Sequence, residues 1–158
     1  MTTLIVLRHA KAADGIGMSD AERPLTARGR RDAKAAGEHL RDLGLVPALV
    51  LCSPAVRTRQ TLEALRLGAD SAVSYERRIY DNDVDVLFDL IRTTVDDAEP
   101  VLVIGHNPAL HQLVGDLGAP ELDRFPTSAC AVLTAEGAWA DLAPGRAVLT
   151  SYWTPKMA

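Results

Sequence analysis

The chain has 158 residues, 47% apolar and 24% charged, with a formal net charge of −4. That length suits one domain, read as spanning residues 1–158, with a core that needs no metal or disulfide to hold it. The acidic balance excludes a broad basic field, so neither nucleic acid nor an anionic membrane is expected as a partner, and any bound anion needs a local basic pocket. Cys52 and Cys130 lie far apart, form no zinc or CxxC pattern, and read as reduced, buried thiols. The apolar run Leu4–Leu7 is too short for a leader peptide or a membrane span, so a cytoplasmic protein is expected.

In chain order, residues 3–7 predict a strand buried on both faces. A loop rich in Gly, Ala and Asp covers residues 12–22. Pro24-Leu25-Thr26 leads into a helix over about 26–43, stopped by Gly44. Residues 48–52 predict a second buried strand. Ser53-Pro54 pairs an N-cap with a first-turn proline, which predicts a helix from there to about Leu67. Residues 72–75 give a weak strand. Asp83 is a cap for a helix with Val86, Leu87, Leu90, Ile91 and Val95 on its apolar face. Residues 101–104 predict a third strong strand, and Asn107-Pro108 opens a helix running to Gly118. The remainder offers strands at 130–134, 139–142 and 147–153, the first two as a hairpin around Glu136-Gly137. Strands alternating with helices predict an α/β three-layer sandwich: a mostly parallel central sheet, helices on both faces, and antiparallel edge strands from the tail.

Three strand ends carry the chemistry. The first ends in Arg8-His9, the second in Ser53-Pro54-Ala55-Val56-Arg57, the third in Gly105-His106-Asn107. In a parallel sheet such ends share one edge, where open α/β folds bind ligands. That edge gathers two arginines, two of the four histidines and two helix N-termini, whose N–H groups favour anions. A phosphoryl group fits this set best. Guanidinium forks match its oxygens, and phosphoryl transfer depends mostly on positioning and charge. Neutral imidazole is a nucleophile near neutral pH, so His9 and His106 are both candidates to carry the phosphoryl group transiently. Ser53 and Asn107 lie on the same strand ends, and Lys11 and Arg23 are candidates to border the pocket. For these two loop charges a solvated role is the competing reading. His39 reads as solvated, His111 as an ordinary helix residue and Arg59 as a salt-bridge residue.

These segments resemble the histidine phosphatase superfamily, which includes the cofactor-dependent phosphoglycerate mutases. Leu7-Arg8-His9-Ala10 is similar to its R-H-G signature. Arg23-Pro24-Leu25-Thr26-x-Arg28-Gly29, Ser53-Pro54-x-x-Arg57 and Gly105-His106-Asn107 follow in the family's order, and R-H-A-K is the form typical of SixA-type phosphohistidine phosphatases. The resemblance implies a phosphoglycerate mutase-like fold and a nucleophilic His9. It implies that Arg8, Arg57 and His106 bind the phosphoryl oxygens, and that no metal or other cofactor takes part. Ala10 replaces the signature glycine. Many members place an acid after the next strand; here Asp81 ranks first, because Asp83 is better explained as a helix cap and Glu76 comes too early. The expected activity is a metal-independent phosphatase acting on a protein phosphohistidine, with a small phosphate ester as the alternative substrate and a monomer as the preferred state.

Other classes fit less well. Cys52 to Arg57 is one residue short of a cysteine phosphatase loop, and Pro54 removes an N–H from it. One H-x-K pair is too few for phospholipase D chemistry. His106 and His111 have neither the spacing nor the acidic partner of a metal hydrolase. A phospho-ligand binding module without turnover would be expected to lack one of His9, Arg8, Arg57 or His106. A mutase would need a larger insert over the site than the few residues between Tyr75 and Asp83.

Overall fold

A computed structural model describes residues 1–157. The elements in order are β1 (Thr2–Arg8), α1 (Ala27–Asp42), β2 (Leu49–Cys52), α2 (Val56–Leu65), β3 (Ala72–Tyr75), α3 (Arg77–Tyr80), α4 (Val84–Arg92), β4 (Val101–Gly105), α5 (Ala109–Leu117), β5 (Cys130–Ala135) and β6 (Ala147–Trp153). Six strands form one sheet in the order β3-β2-β4-β1-β5-β6. β1, β2, β3 and β4 run parallel. The tail adds β5 antiparallel to β1, then β6 antiparallel to β5.

Alternation along the strands separates two cores. Ile5, Leu7, Val50, Leu102 and Ile104 pack on one face with Ala36, Leu40 and Leu65 of α1 and α2. Leu4, Val6, Leu51, Val101 and Val103 pack on the other with α4 and α5, through residues such as Leu87, Ile91, Leu110 and Leu113. A strand buried on both faces has to be apolar throughout, which is why the central strands read as continuous runs. The result is the three-layer α/β sandwich that the sequence predicts.

Two glycines of α1 matter for placement. A β-carbon on Gly29 would strike the Lys11 carbonyl, and one on Gly37 would strike the Leu65 carbonyl. Gly37 weakens the helix intrinsically, but it lets α1 lie directly against the end of α2. Thr26 caps α1, its Oγ1 accepting from Gly29 N at 3.0 Å, and its own backbone N–H donates to the Lys11 carbonyl at 2.9 Å. The start of α1 is thereby fastened to the chain just past His9.

Several expectations need correction. α2 begins at Val56, with Ala55 in the cap position, rather than at Ser53-Pro54. α4 ends at Arg92, and Val95 is 65% exposed beyond it. Residues 139–141 form a 3₁₀ turn instead of a strand. Trp139 there is fully buried and donates its Nε1–H to the Ala98 carbonyl at 2.7 Å. The tail hairpin is therefore β5 with β6. Among the described residues no helix is long and apolar enough to cross a membrane.

Candidate active site

β1, β2 and β4 are parallel neighbours, so their carboxyl ends share one edge of the sheet. His9 follows β1 directly, and its backbone N–H donates to the Gly105 carbonyl at 3.1 Å. His106 follows β4, and the two imidazole rings lie 5.3 Å apart. Arg57 sits in the first turn of α2 and reaches back across this edge, its Nη2 donating to His106 Nδ1 at 3.3 Å. Ser53, at the end of β2, holds the other ring nitrogen, with His106 Nε2 at 2.8 Å from Ser53 Oγ. Arg8 sends Nη1 to the Phe125 carbonyl at 3.2 Å, and Asn107 sends Nδ2 to the same carbonyl at 2.7 Å. The structure thus gathers His9, His106, Arg8, Arg57, Ser53 and Asn107 at one place.

The hydrogen bonds fix both tautomers. His9 Nδ1 lies 2.7 Å from the Ala10 carbonyl, which can only accept, so Nδ1 carries the proton and Nε2 keeps its lone pair. For His106 the logic reverses. Arg57 can only donate, so Nδ1 accepts and Nε2–H donates to Ser53. Burial drives the His9 pKa down to about 3, helped by the nearby charges of His106, Arg57 and Arg8. Burial, then Arg57, takes His106 to about 4. Both rings are therefore neutral near neutral pH. Burial and the closeness of Arg57 also lower the Arg8 pKa from its ordinary value.

Unpartnered polar atoms concentrate here. Among the described residues, the buried side-chain atoms lacking a hydrogen bond are Arg8 Nε, Arg57 Nε, Asn107 Oδ1, Ser128 Oγ and, away from the site, His39 Nε2. Buried donors without acceptors are costly. Two guanidinium N–H groups left open at one spot mark a place built to receive an acceptor-rich anion.

Residues 4–95 match the family model of the histidine phosphatase superfamily (branch 1). The chain belongs to that superfamily. An uncharacterized protein of Mycobacterium tuberculosis is 38% identical over 161 residues, covering 95% of this chain and all of that protein. A candidate phosphohistidine phosphatase SixA of Nakamurella multipartitia superposes with a TM-score of 0.90 at 36% identity, covering 98% of this chain and 96% of that one. A protein histidine phosphatase SixA, solved in complex with tungstate, gives 0.85 at 27% identity over 99% of each chain.

Several residues of this histidine phosphatase take places other than those expected from sequence. Asp81 is exposed at the end of α3 and makes no hydrogen bond to the cluster. Its neighbours do so instead. Tyr80 Oη donates to Asp20 Oδ2 at 2.7 Å and sets its ring edge-on to His106 at 5.6 Å. Asn82 caps α5, accepting from Ala109 N at 3.0 Å, and donates to the Asn107 carbonyl at 2.6 Å. Tyr80 turns inward from the last turn of α3, and Asn82, past the helix end with a φ of +62°, is brought back to Asn107 by a left-handed turn that leaves Asp81 exposed. The carboxylate that joins the cluster is Asp20, in the 12–26 loop. It accepts from Arg57 Nη2 at 3.1 Å and from Arg23 Nε at 3.0 Å. Tyr80, then Arg57 and Arg23, hold its pKa far below the ordinary carboxylate value. Arg23 thus borders the site through Asp20. Lys11 is exposed, and its side chain makes no hydrogen bond to the cluster; its carbonyl anchors α1.

Ser53 grips His106 and does not cap α2 in the ordinary way. His39 is half-buried and stacks on Trp153 at 5.2 Å rather than being solvated. Arg59 lies 4.9 Å over the Tyr75 ring and forms no salt bridge among the described residues. Thr61, unremarked in the sequence, accepts from Ala10 N at 3.0 Å and donates to the Arg57 carbonyl at 2.7 Å. It ties the chain just past His9 to the helix that carries Arg57. Ala10 needs no glycine's freedom, because its methyl packs with Leu25 and Ala33.

Proposed function

We propose that this protein is a phosphatase that forms a covalent phosphohistidine on His9 and takes the phosphoryl group from a phosphohistidine on another protein. The observation that carries the reading is the proton inventory of the site. His9 Nε2 presents a lone pair, while Asp20, the carboxylate hydrogen-bonded to the cluster, is held ionised. A site with a ready nucleophile and no protonated acid suits a leaving group that needs no proton in flight. An imidazole whose second nitrogen already carries a proton is such a group; an alkoxide is not.

The steps balance on that basis. Nε2 of His9 attacks phosphorus as the substrate P–N bond breaks, and the substrate imidazole departs neutral with its own N–H. Phospho-His9 then holds a cationic ring, its Nδ1–H still bonded to the Ala10 carbonyl. Water attacks phosphorus, the P–Nε2 bond breaks, neutral His9 returns, and the water protons leave with dihydrogen phosphate. Arg8 and Arg57 aim N–H groups at the oxygens through both steps, and His106 fixes the Arg57 fork. Binding of tungstate by a SixA relative supports a pocket for tetrahedral oxyanions. No step calls for a metal, since two guanidinium groups supply the positive charge.

The test compares turnover of a phosphohistidine peptide with an alkyl phosphate and an aryl phosphate, alongside acid-labile labelling of wild type and His9→Asn. Fastest turnover of the phosphohistidine, with label present on wild type and missing from His9→Asn, is expected. Faster turnover of the alkyl ester would refute the substrate assignment. Equal labelling of His9→Asn would refute the nucleophile.

A further inference from the structure

We propose that the groove between α1 and α2 is a docking site for an acidic segment of the protein substrate, beside the catalytic cage but separate from it. The inference rests on the reading that the substrate is a protein. The groove has a volume of about 350 Å³; Arg30, Arg31 and Lys34 of α1 and Arg66 at the end of α2 line it, with Glu63 as the acidic group among its lining residues. All five are exposed, and none forms an ion pair among the described residues. Arg30 makes one long contact, Nη1 to the Leu25 carbonyl at 3.4 Å. In a protein of net charge −4, four unpaired cations facing one carboxylate form a local reversal of sign.

Helix stability does not explain the arrangement and opposes it. Arg30 and Lys34 are four apart and Arg31 and Lys34 three apart, so like charges face each other on the helix surface. They lie in the N-terminal half of α1, whose first turn contains no acidic residue. The helix dipole favours anions there and disfavours cations. Retaining charges that cost stability is the pattern of a surface kept for binding.

Position and chemistry select the occupant. α2 carries Arg57 at the cage and Arg66 at the groove, about 14 Å apart along its axis. A segment next to a phosphohistidine spans that distance in a handful of residues. Gln60 lines the groove and accepts from Leu25 N at 2.8 Å, so the groove abuts the loop that carries Asp20. No aromatic side chain lines it, so it lacks the stacking surface that single-stranded nucleic acids use. Carboxylates of a polypeptide match its charge and its concave form.

The experiment uses two phosphohistidine peptides of equal length, one with a glutamate-rich tail and one with the same tail in glutamine. Wild type is expected to favour the glutamate peptide by about tenfold in kcat/KM, mostly through KM, with the preference shrinking as salt rises. The variant R30E/R31E/K34E is expected to lose that preference. It should keep its activity on para-nitrophenyl phosphate and melt at a higher temperature than wild type. Equal kcat/KM for both peptides in wild type, or a preference that survives in the variant, would overturn the groove's role. Fluorescence anisotropy with the unphosphorylated glutamate peptide tests the groove independently of catalysis. If neither phosphopeptide is hydrolysed but wild type alone binds this probe, the substrate reading fails and the groove's affinity for acidic segments stands. Tighter binding of a single-stranded RNA than of the glutamate peptide would overturn the choice of a protein partner.

Discussion

The Nδ1–H of His9 is committed to the Ala10 carbonyl, and on the proposed mechanism that single bond decides which nitrogen attacks. Because burial and nearby cations drop the His9 pKa to about 3, the nucleophilic neutral form persists as pH falls below 6. The sign follows: activity that needs the neutral ring survives down to the lowered pKa, whereas an ordinary histidine would lose half of it near pH 6.5. The enzyme limb of a kcat/KM profile on a substrate that does not itself titrate is therefore expected to stay level from pH 8 to 5 and to fall only below about 4. A midpoint near 6.5 would place a solvated imidazole at the nucleophile's position. Arg57→Ala is expected to lower kcat/KM on the order of 10²–10³-fold, because it removes donors aimed at developing charge and leaves His106 Nδ1 unpaired; steady-state kinetics checks this. The positions of Arg8, His9 and His106 were legible in the sequence because each sits at or just after a strand end, and that of Arg57 because it falls in the first turn of the helix that follows β2. Asp20 was not. It opens a single 3₁₀ turn, Asp20–Glu22, too short to leave a periodic pattern, and its place depends on the distant partners Tyr80 and Arg57.

Among the elements, strands were easier to read than caps. Continuous apolar runs identify β1, β2 and β4, but Ser53 ahead of Pro54 looks like a helix cap until its hydroxyl is seen holding His106. Trp139 to Leu142 has strand-like composition. A buried indole that must reach the Ala98 carbonyl bends it into a turn instead. The cap of α5 shows the same limit. Its start is held by Asn82, which precedes α4 and enters the cap from outside the local sequence. Asn82 has a φ of +62°, a conformation asparagine tolerates better than most residues. Asn82→Ala is expected to destabilise the fold by about 1–2 kcal/mol, from the lost cap and the strained backbone. Chemical denaturation of the two proteins gives the difference. The variant should also show a raised KM, since the Asn107 carbonyl loses its donor.

At the scale of the whole molecule, the sequence already implied a layered α/β protein, and the sheet order explains why chemistry collects at one edge. On the proposed mechanism Arg8 and Arg57 supply the positive charge that phosphoryl transfer requires, so no metal is called for. Incubation with EDTA followed by desalting is expected to leave turnover unchanged, and restoration by a divalent cation after a loss would contradict this. β1 lies in the middle of the sheet, fastened to β4 on one side and β5 on the other, with Ser128 N adding bonds to the Arg8 and His9 carbonyls. The loop from residue 12 to 26 belongs to no strand of the sheet and is held chiefly through side chains, with Asp20 gripped by Arg57, Tyr80 and Arg23. Its one isolated bridge joins Ala12 to Leu25 at its base. Mutational drift can thus rewrite the parts of this rim away from Asp20, and with them the range of molecules admitted, while the proposed nucleophile stays anchored just past a central strand of the sheet.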